Sequence, residues 1–116
     1  MTRDRTPRDG LRQELRRGTL VLAVLSALCR ERCGADLIGL LASADVPIEA
    51  GALYPMLRRL EDQGLLVSDW RVEDGRRRRF YRASRTGAEA ADELTADLAR
   101  LVMGLQSLRE DRDDTD

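Results

Sequence analysis

Two hydrophobic periods that cannot belong to one element meet at Gly64. Before it, Leu53, Met56, Leu57 and Leu60 recur at helical spacing. After it, residues 65–72 (Leu-Leu-Val-Ser-Asp-Trp-Arg-Val) read as a strand and Glu73-Asp-Gly75 as a turn. Arg76-Arg-Arg-Arg-Phe-Tyr-Arg-Ala83 then reads as a returning strand whose ladder begins near Arg77. Asp-Gly is a favoured hairpin dipeptide. Two strands alone are marginal in water, so this hairpin must lean on helices. The expected class is therefore mainly α with one small β-hairpin.

The helix before Gly64 spans about residues 51–63. Gly51, Pro55, Arg58 and Asp62 fall opposite its apolar face, with Tyr54 and Arg59 on the shoulders. A proline more than one turn inside a helix clashes with the carbonyl four residues back. Either the regular helix starts at about Ala52 or Leu53, or the Gly51 carbonyl is left without its amide. Gly64 suits the left-handed residue that commonly ends a helix. A short helix with a small entrance, an aromatic hydroxyl and an exposed arginine pair suits entry into a DNA groove. The same surface also suits a plain solvated helix.

Three further helices are expected. The first runs from Leu11 to about Arg32, with Leu20, Val24 and Leu28 as a stripe widened by Val21, Leu22 and Leu25. A second, Gly34 to about Ser43, turns Leu37, Ile38, Leu40 and Leu41 inward. The last begins after Ser84, a fair N-cap, and extends to about residue 109. Its Leu94, Leu98, Leu101, Leu105 and Leu108 follow a heptad seam, which needs a partner surface. That surface is a second copy of the chain, the first helix, or both. Residues 1–10, polar with Pro7 and Gly10, are expected to form a disordered arm, and the acidic residues 110–116 a disordered tail. Between them, residues 11–83 form a helix-and-wing domain and 84–109 a dimerisation helix.

Composition narrows the chemistry. All twenty basic residues are arginine, and the chain has no histidine. There is thus no imidazole base, no His-ligated metal, no Schiff-base lysine and no phosphate-loop lysine. An enzyme is not expected, nor a cofactor. With 116 residues and a net charge of −1, any nucleic-acid site must be a local patch on one domain. Residues 71–85 supply it, with seven arginines against Glu73 and Asp74. No stretch is long and apolar enough to span a membrane, and no signal-peptide core precedes the first helix, so a cytoplasmic location is expected. Cys29 and Cys33, four residues apart, would share a face of a continuous helix and stand as a candidate redox pair beside Arg30 and Arg32.

Helix, helix, helix, hairpin, helix is the order of a winged helix-turn-helix with an added dimerisation helix. The chain resembles the PadR-like family of bacterial transcriptional regulators, in its short-tailed form. The resemblance lies in Arg17-Gly-Thr-Leu20, Val24-Leu-Ser-Ala-Leu28, Gly51-Ala-Leu-Tyr-Pro-Met-Leu-Arg-Arg-Leu-Glu61, Gly64-Leu-Leu66, Trp70 and Gly75-Arg-Arg-Arg-Arg-Phe-Tyr-Arg82. It covers roughly residues 17–88. It implies a homodimer that binds double-stranded operator DNA, usually as a repressor, and releases it when a small-molecule effector binds. By the same resemblance Gly51, Ala52, Tyr54, Pro55 and Arg58 lie at the groove, and Arg76, Arg78 and Arg79 on the wing. Arg59 and Arg77 join them from the helix surface and the arginine run. Three departures stand out. Ala52 replaces a usual threonine, Cys33-Gly-Ala-Asp-Leu37 lacks two usual aromatics, and the last helix has no tryptophan. With aromatics at 3%, an aromatic-lined effector pocket is not expected. The competing readings are a winged-helix module that binds protein, with its arginines on an acidic partner, and a thiol-responsive regulator using Cys29 and Cys33.

Overall fold

In a computed structural model, which describes residues 6–113, the chain folds as four helices around a small sheet. The elements are α1 (Pro7–Ala27), β1 (Arg32–Cys33), α2 (Gly34–Ser43), α3 (Ala50–Asp62), β2 (Leu66–Glu73), β3 (Arg76–Ala83) and α4 (Arg85–Asp113). The winged-helix order and the mainly helical class are as expected.

Helix α1 begins four residues before Leu11, so the second half of the expected arm is helical. The reason is local. Thr6 caps the helix, accepting from the Asp9 amide (3.2 Å) while the Asp9 carboxylate accepts from the Thr6 amide (3.3 Å), and Pro7 occupies the first turn. The remaining arm residues, 1–5, lie outside the described part.

The same helix ends at Ala27, well short of Arg32. Arg32 Nε donates to the Ala27 carbonyl (2.9 Å), and the chain then turns into β1. β1 pairs antiparallel with β3, Arg32 opposite Tyr81 and Cys33 opposite Phe80, giving a sheet ordered β1-β3-β2. A two-residue strand carries no periodic signal, which is why the sequence reads on as helix there.

Helix α3 starts at Ala50, so Pro55 lies in its second turn and the Gly51 carbonyl goes without its usual amide. Gly64 (φ 78°) then reverses the chain. Asp74 (φ 52°) and Gly75 (φ 74°) form the two-residue turn of the hairpin, both in the left-handed region that the right-handed twist of paired strands demands. Ser84 caps α4 as expected, its hydroxyl accepting from the Gly87 amide (3.0 Å). This helix runs past residue 109 to Asp113, because the charged stretch after Leu108 contains no Gly or Pro to end it. Residues 114–116 of the expected tail lie outside the described part.

The core gathers Val24 and Leu25 of α1 with Leu28 just after it, Leu37 and Leu41 of α2, Leu53, Leu57 and Leu60 of α3, Leu66 and Tyr81 of the sheet, and Ala91 of α4. The hairpin is tied in at its root. The Ala83 amide donates to the Leu28 carbonyl (2.6 Å), and the Ser84 amide to the Leu65 carbonyl (3.0 Å). Gly87 is where α4 crosses this root: a Cβ there would overlap the Leu65 carbonyl oxygen and lie 2.9 Å from its carbon. Gly87→Ala is therefore expected to lower stability by about 1–3 kcal/mol, since rigid backbone must move. Thermal melting followed by circular dichroism measures this, and an unchanged midpoint would show that the crossing is loose.

Candidate nucleic-acid interface

Helix α3 divides its residues as the sequence predicts. Leu53, Leu57 and Leu60 are buried and Met56 half-buried, whereas Gly51, Ala52, Tyr54, Pro55, Arg58 and Arg59 are exposed. One side of the helix is thus fixed in the core, and the other carries two arginines, an aromatic hydroxyl and a small entrance.

Tyr54 is set by Gly34. Its ring lies over the first residue of α2, where an added Cβ would come within 2.7 Å of Tyr54 Cε1. Beside it the hairpin arginines approach. Tyr54, the first turn of α2, Trp70, Tyr81 and Arg76–Arg79 enclose an open recess of about 390 Å³. The structure therefore brings Tyr54 of the helix and the expected wing arginines to one surface.

The four arginines of the run are not equivalent. Partners across the hairpin share a face, so Ser68, Trp70, Val72, Arg77, Arg79 and Tyr81 turn one way and Asp69, Arg71, Arg76, Arg78 and Phe80 the other. Arg79 is half-buried, and its guanidinium is committed within the chain. Nε donates to Ser68 Oγ (2.9 Å) and Nη2 to Glu61 Oε1 (3.1 Å), while the Ser68 hydroxyl donates to Glu61 Oε2 (2.6 Å). Arg77 lies over the Trp70 ring at 4.4 Å from its centroid. Arg78 points to the Cys33 sulfur at 3.9 Å. Among the described residues, Arg76, Arg77 and Arg78 have no carboxylate partner.

Arg71 is also neutralised, by a two-pronged pair with Glu31 (2.5 and 2.6 Å). Of the seven arginines in that stretch, Arg71, Arg79 and Arg85 (with Glu89) are paired, which leaves Arg76, Arg77 and Arg78 toward the turn and Arg82 at the root without a carboxylate among the described residues. Glu31, Glu61, Ser68 and Gly34 were not singled out in the sequence as site residues. Strand alternation alone would have put Ser68 and Arg79 on one face, but Glu31 and Gly34 meet their partners only through the fold.

The two cysteines separate. Cys29 follows the end of α1, is exposed, and donates to the Leu25 carbonyl (3.6 Å). Cys33 is buried in β1 and donates to Asp36 Oδ2 (3.2 Å). They do not share a helix face, because the helix that would have placed them there has already ended.

The sequence profile described as the transcriptional regulator PadR-like family matches residues 21–93, from α1 through the hairpin into α4. The chain belongs to the PadR-like family of transcriptional regulators. It is 43% identical over 99 residues to a transcriptional regulator of Mycobacterium tuberculosis, covering 82% of this chain and 92% of that one. Among solved structures, a PadR family transcriptional regulator from Eggerthella lenta superposes with a TM-score of 0.80 at 40% identity, over 92% of both chains. The fold is also that of Bacillus subtilis PadR, solved in complex with operator DNA. The TM-score is 0.62 at 18% identity, over 66% of this chain and 45% of that one. Members of this family are regulators rather than enzymes, in line with the chemistry missing from the sequence. No helix among the described residues is long and apolar enough to cross a membrane.

Tyr81 anchors the wing of this PadR-like chain, and burial pushes its phenol above the usual tyrosine range, against a smaller downward pull from Arg79. A raised folded value means that the unfolded chain loses its proton first as pH rises. Stability linked to Tyr81 is therefore complete below about pH 10 and lost above it. Alkaline unfolding should set in at higher pH for Tyr81→Phe than for the native chain. Identical alkaline limbs in the two proteins would remove Tyr81 as the group responsible.

Proposed function

We propose that this regulator is a DNA-binding dimer, acting as a repressor, that reads a palindromic operator with α3 and grips flanking phosphate with the hairpin. The observation that carries the reading is the single surface formed by Tyr54 of α3 and the uncompensated Arg76–Arg78. α3 has its apolar side locked in the core and its Gly51–Arg58 side open, the arrangement a reading helix needs. Bacillus subtilis PadR, which shares the fold, was solved on operator DNA.

In this reading Arg58 donates to base edges in the major groove, Tyr54 and the small entrance at Gly51-Ala52 sit against the backbone, and Pro55 keeps that end rigid. Arg59 lies at the flank. Arg76, Arg77 and Arg78 neutralise phosphates. Release by a small-molecule effector belongs to the same proposal.

A palindrome needs a second copy, and an exposed apolar surface supports that part of the reading. Leu94, Leu98, Leu101, Leu105 and Leu108 are all exposed in the single chain, as are Leu11 and Leu15 of α1. An open groove of about 380 Å³ lies between α1 and α4, walled by Leu15, Gly18, Leu22, Leu94, Leu98 and Leu101. The radius of gyration is 17.6 Å, against about 13 Å for a compact chain of this length, so both helices project beyond the core. A second α4 laid along this groove would bury the seam, with reading helices spaced for half-sites roughly 34 Å apart.

Two measurements test these points. With Arg58 and Arg76–Arg78 of two subunits on about eight phosphates, log K for the DNA upstream of its own coding sequence should fall with log salt at a slope of about −7. Arg78→Ala should flatten the slope by about two and weaken all sequences alike, whereas Arg58→Ala should change which sequences are preferred. A slope near zero would overturn the phosphate role of the wing, and no shift at any salt the DNA reading itself. Separately, Leu101→Glu with Leu105→Glu should halve the mass measured by light scattering and weaken operator binding. A monomeric native chain would instead refute the seam.

A further inference from the structure

The closed triangle of Glu61, Ser68 and Arg79 joins the last turn of α3 to the hairpin. We propose that Glu61 and Ser68 are positioning residues for DNA binding, holding Arg79 so that the reading helix and the wing meet the duplex as one rigid unit. The proposal rests on the DNA reading given above and assigns Arg79 to geometry instead of to a phosphate.

Between Glu61 and β2 the chain passes through Gly64, in the left-handed region, and joins α3 to the hairpin by a short turn. A turn of this kind sets no angle firmly by itself. The hairpin enters the core at its root, through Leu66, Tyr81 and Ala83, and its turn lies eight residues further out, with the Arg71–Glu31 pair bracing the opposite face. Glu61 crosses from α3 to this lever. Both of its oxygens are used, one by the Ser68 hydroxyl at 2.6 Å and one by Arg79 Nη2 at 3.1 Å, and Arg79 Nε closes the ring on Ser68 at 2.9 Å. Trp70 and Tyr81 flank the guanidinium at 5.4 and 5.6 Å, so it is held on both sides as well as at its donors. The pair is partly exposed, with side-chain exposures of 39% and 28%, and adds little to overall stability. Its effect is on orientation. Arg76–Arg78 reach phosphate in register with α3 only if the hairpin keeps its angle, and each degree of freedom left open must be lost again on binding.

The alternative role for Arg79, direct contact with phosphate, predicts the opposite sign. Glu61→Gln would then release Arg79 and remove a negative charge, tightening DNA binding and steepening its salt dependence. The positioning role predicts weaker binding for Glu61→Gln and for Ser68→Ala, about fivefold, with the salt slope unchanged. Ser68→Ala alters no charge and is the milder variant should Glu61→Gln melt early.

Trp70 is the only tryptophan and lies on the same hairpin face, so it reports the clamp without DNA. Acrylamide quenching of its emission should rise in Ser68→Ala and in Glu61→Gln while far-ultraviolet circular dichroism stays constant. Unchanged quenching in both variants would overturn the clamp, whatever the chain binds. Increased quenching with unchanged or tighter DNA binding would show a clamp that positions nothing. If the native chain binds no DNA, the quenching arm still decides whether the clamp holds the hairpin, while the positioning role falls with the DNA reading.

Discussion

The hairpin cannot stand alone, and the rest of the molecule is arranged to hold its root. Two antiparallel strands in water gain too little from their own ladder to offset the entropy of ordering them. Here β3 gains a second neighbour in β1, its Tyr81 enters the core, and Leu66 of β2 is almost fully covered. The end of α1, the start of α4 and the turn after α3 all converge on this root through backbone hydrogen bonds. α1 has to stop at Ala27 so that Arg32 and Cys33 can extend the sheet, and α4 needs Gly87 so that it can cross Leu65.

That anchoring explains why the basic hairpin is selective in where it is basic. Arg71 of β2 and Arg79 of β3 lie within reach of Glu31 and Glu61 and pair with them. Among the described residues, Arg76, Arg77 and Arg78 have no carboxylate to meet. A charged stretch projecting from a near-neutral chain thus keeps most of its unpaired cations toward its turn end. The field such an end projects is local, which suits a surface meant for a polyanion better than a uniformly basic protein would.

The aromatic residues show the same economy. The chain has four in all, and Tyr54, Trp70 and Tyr81 meet beside the arginines while Phe80 lies under Arg71. A low aromatic content argues against an aromatic-lined pocket only if the few rings are dispersed. Here they are gathered, and Trp70, Phe80 and Tyr81 each lie against a guanidinium group.

Much of this was determined by the sequence. The change of period at Gly64 separates helix from hairpin, Asp74-Gly75 fixes the two-residue turn, and the spacing of Leu53, Leu57 and Leu60 decides which side of α3 is open. These are local properties, because side-chain periodicity and left-handed turn residues need no distant partner. The motifs at Gly51–Glu61 and along the arginine run likewise carried the family resemblance. What only the tertiary structure decided involves residues far apart in the chain. The helical pattern around Arg32 gave way to pairing with Tyr81, about fifty residues on. Arg71 and Arg79 lost their freedom to Glu31 and Glu61, and Gly34 proved to be where Tyr54 rests. No spacing rule encodes those meetings. They follow from packing one helix end, one strand and one turn around the same buried leucines, where a side chain's partner is set by the fold and not by its neighbours in sequence.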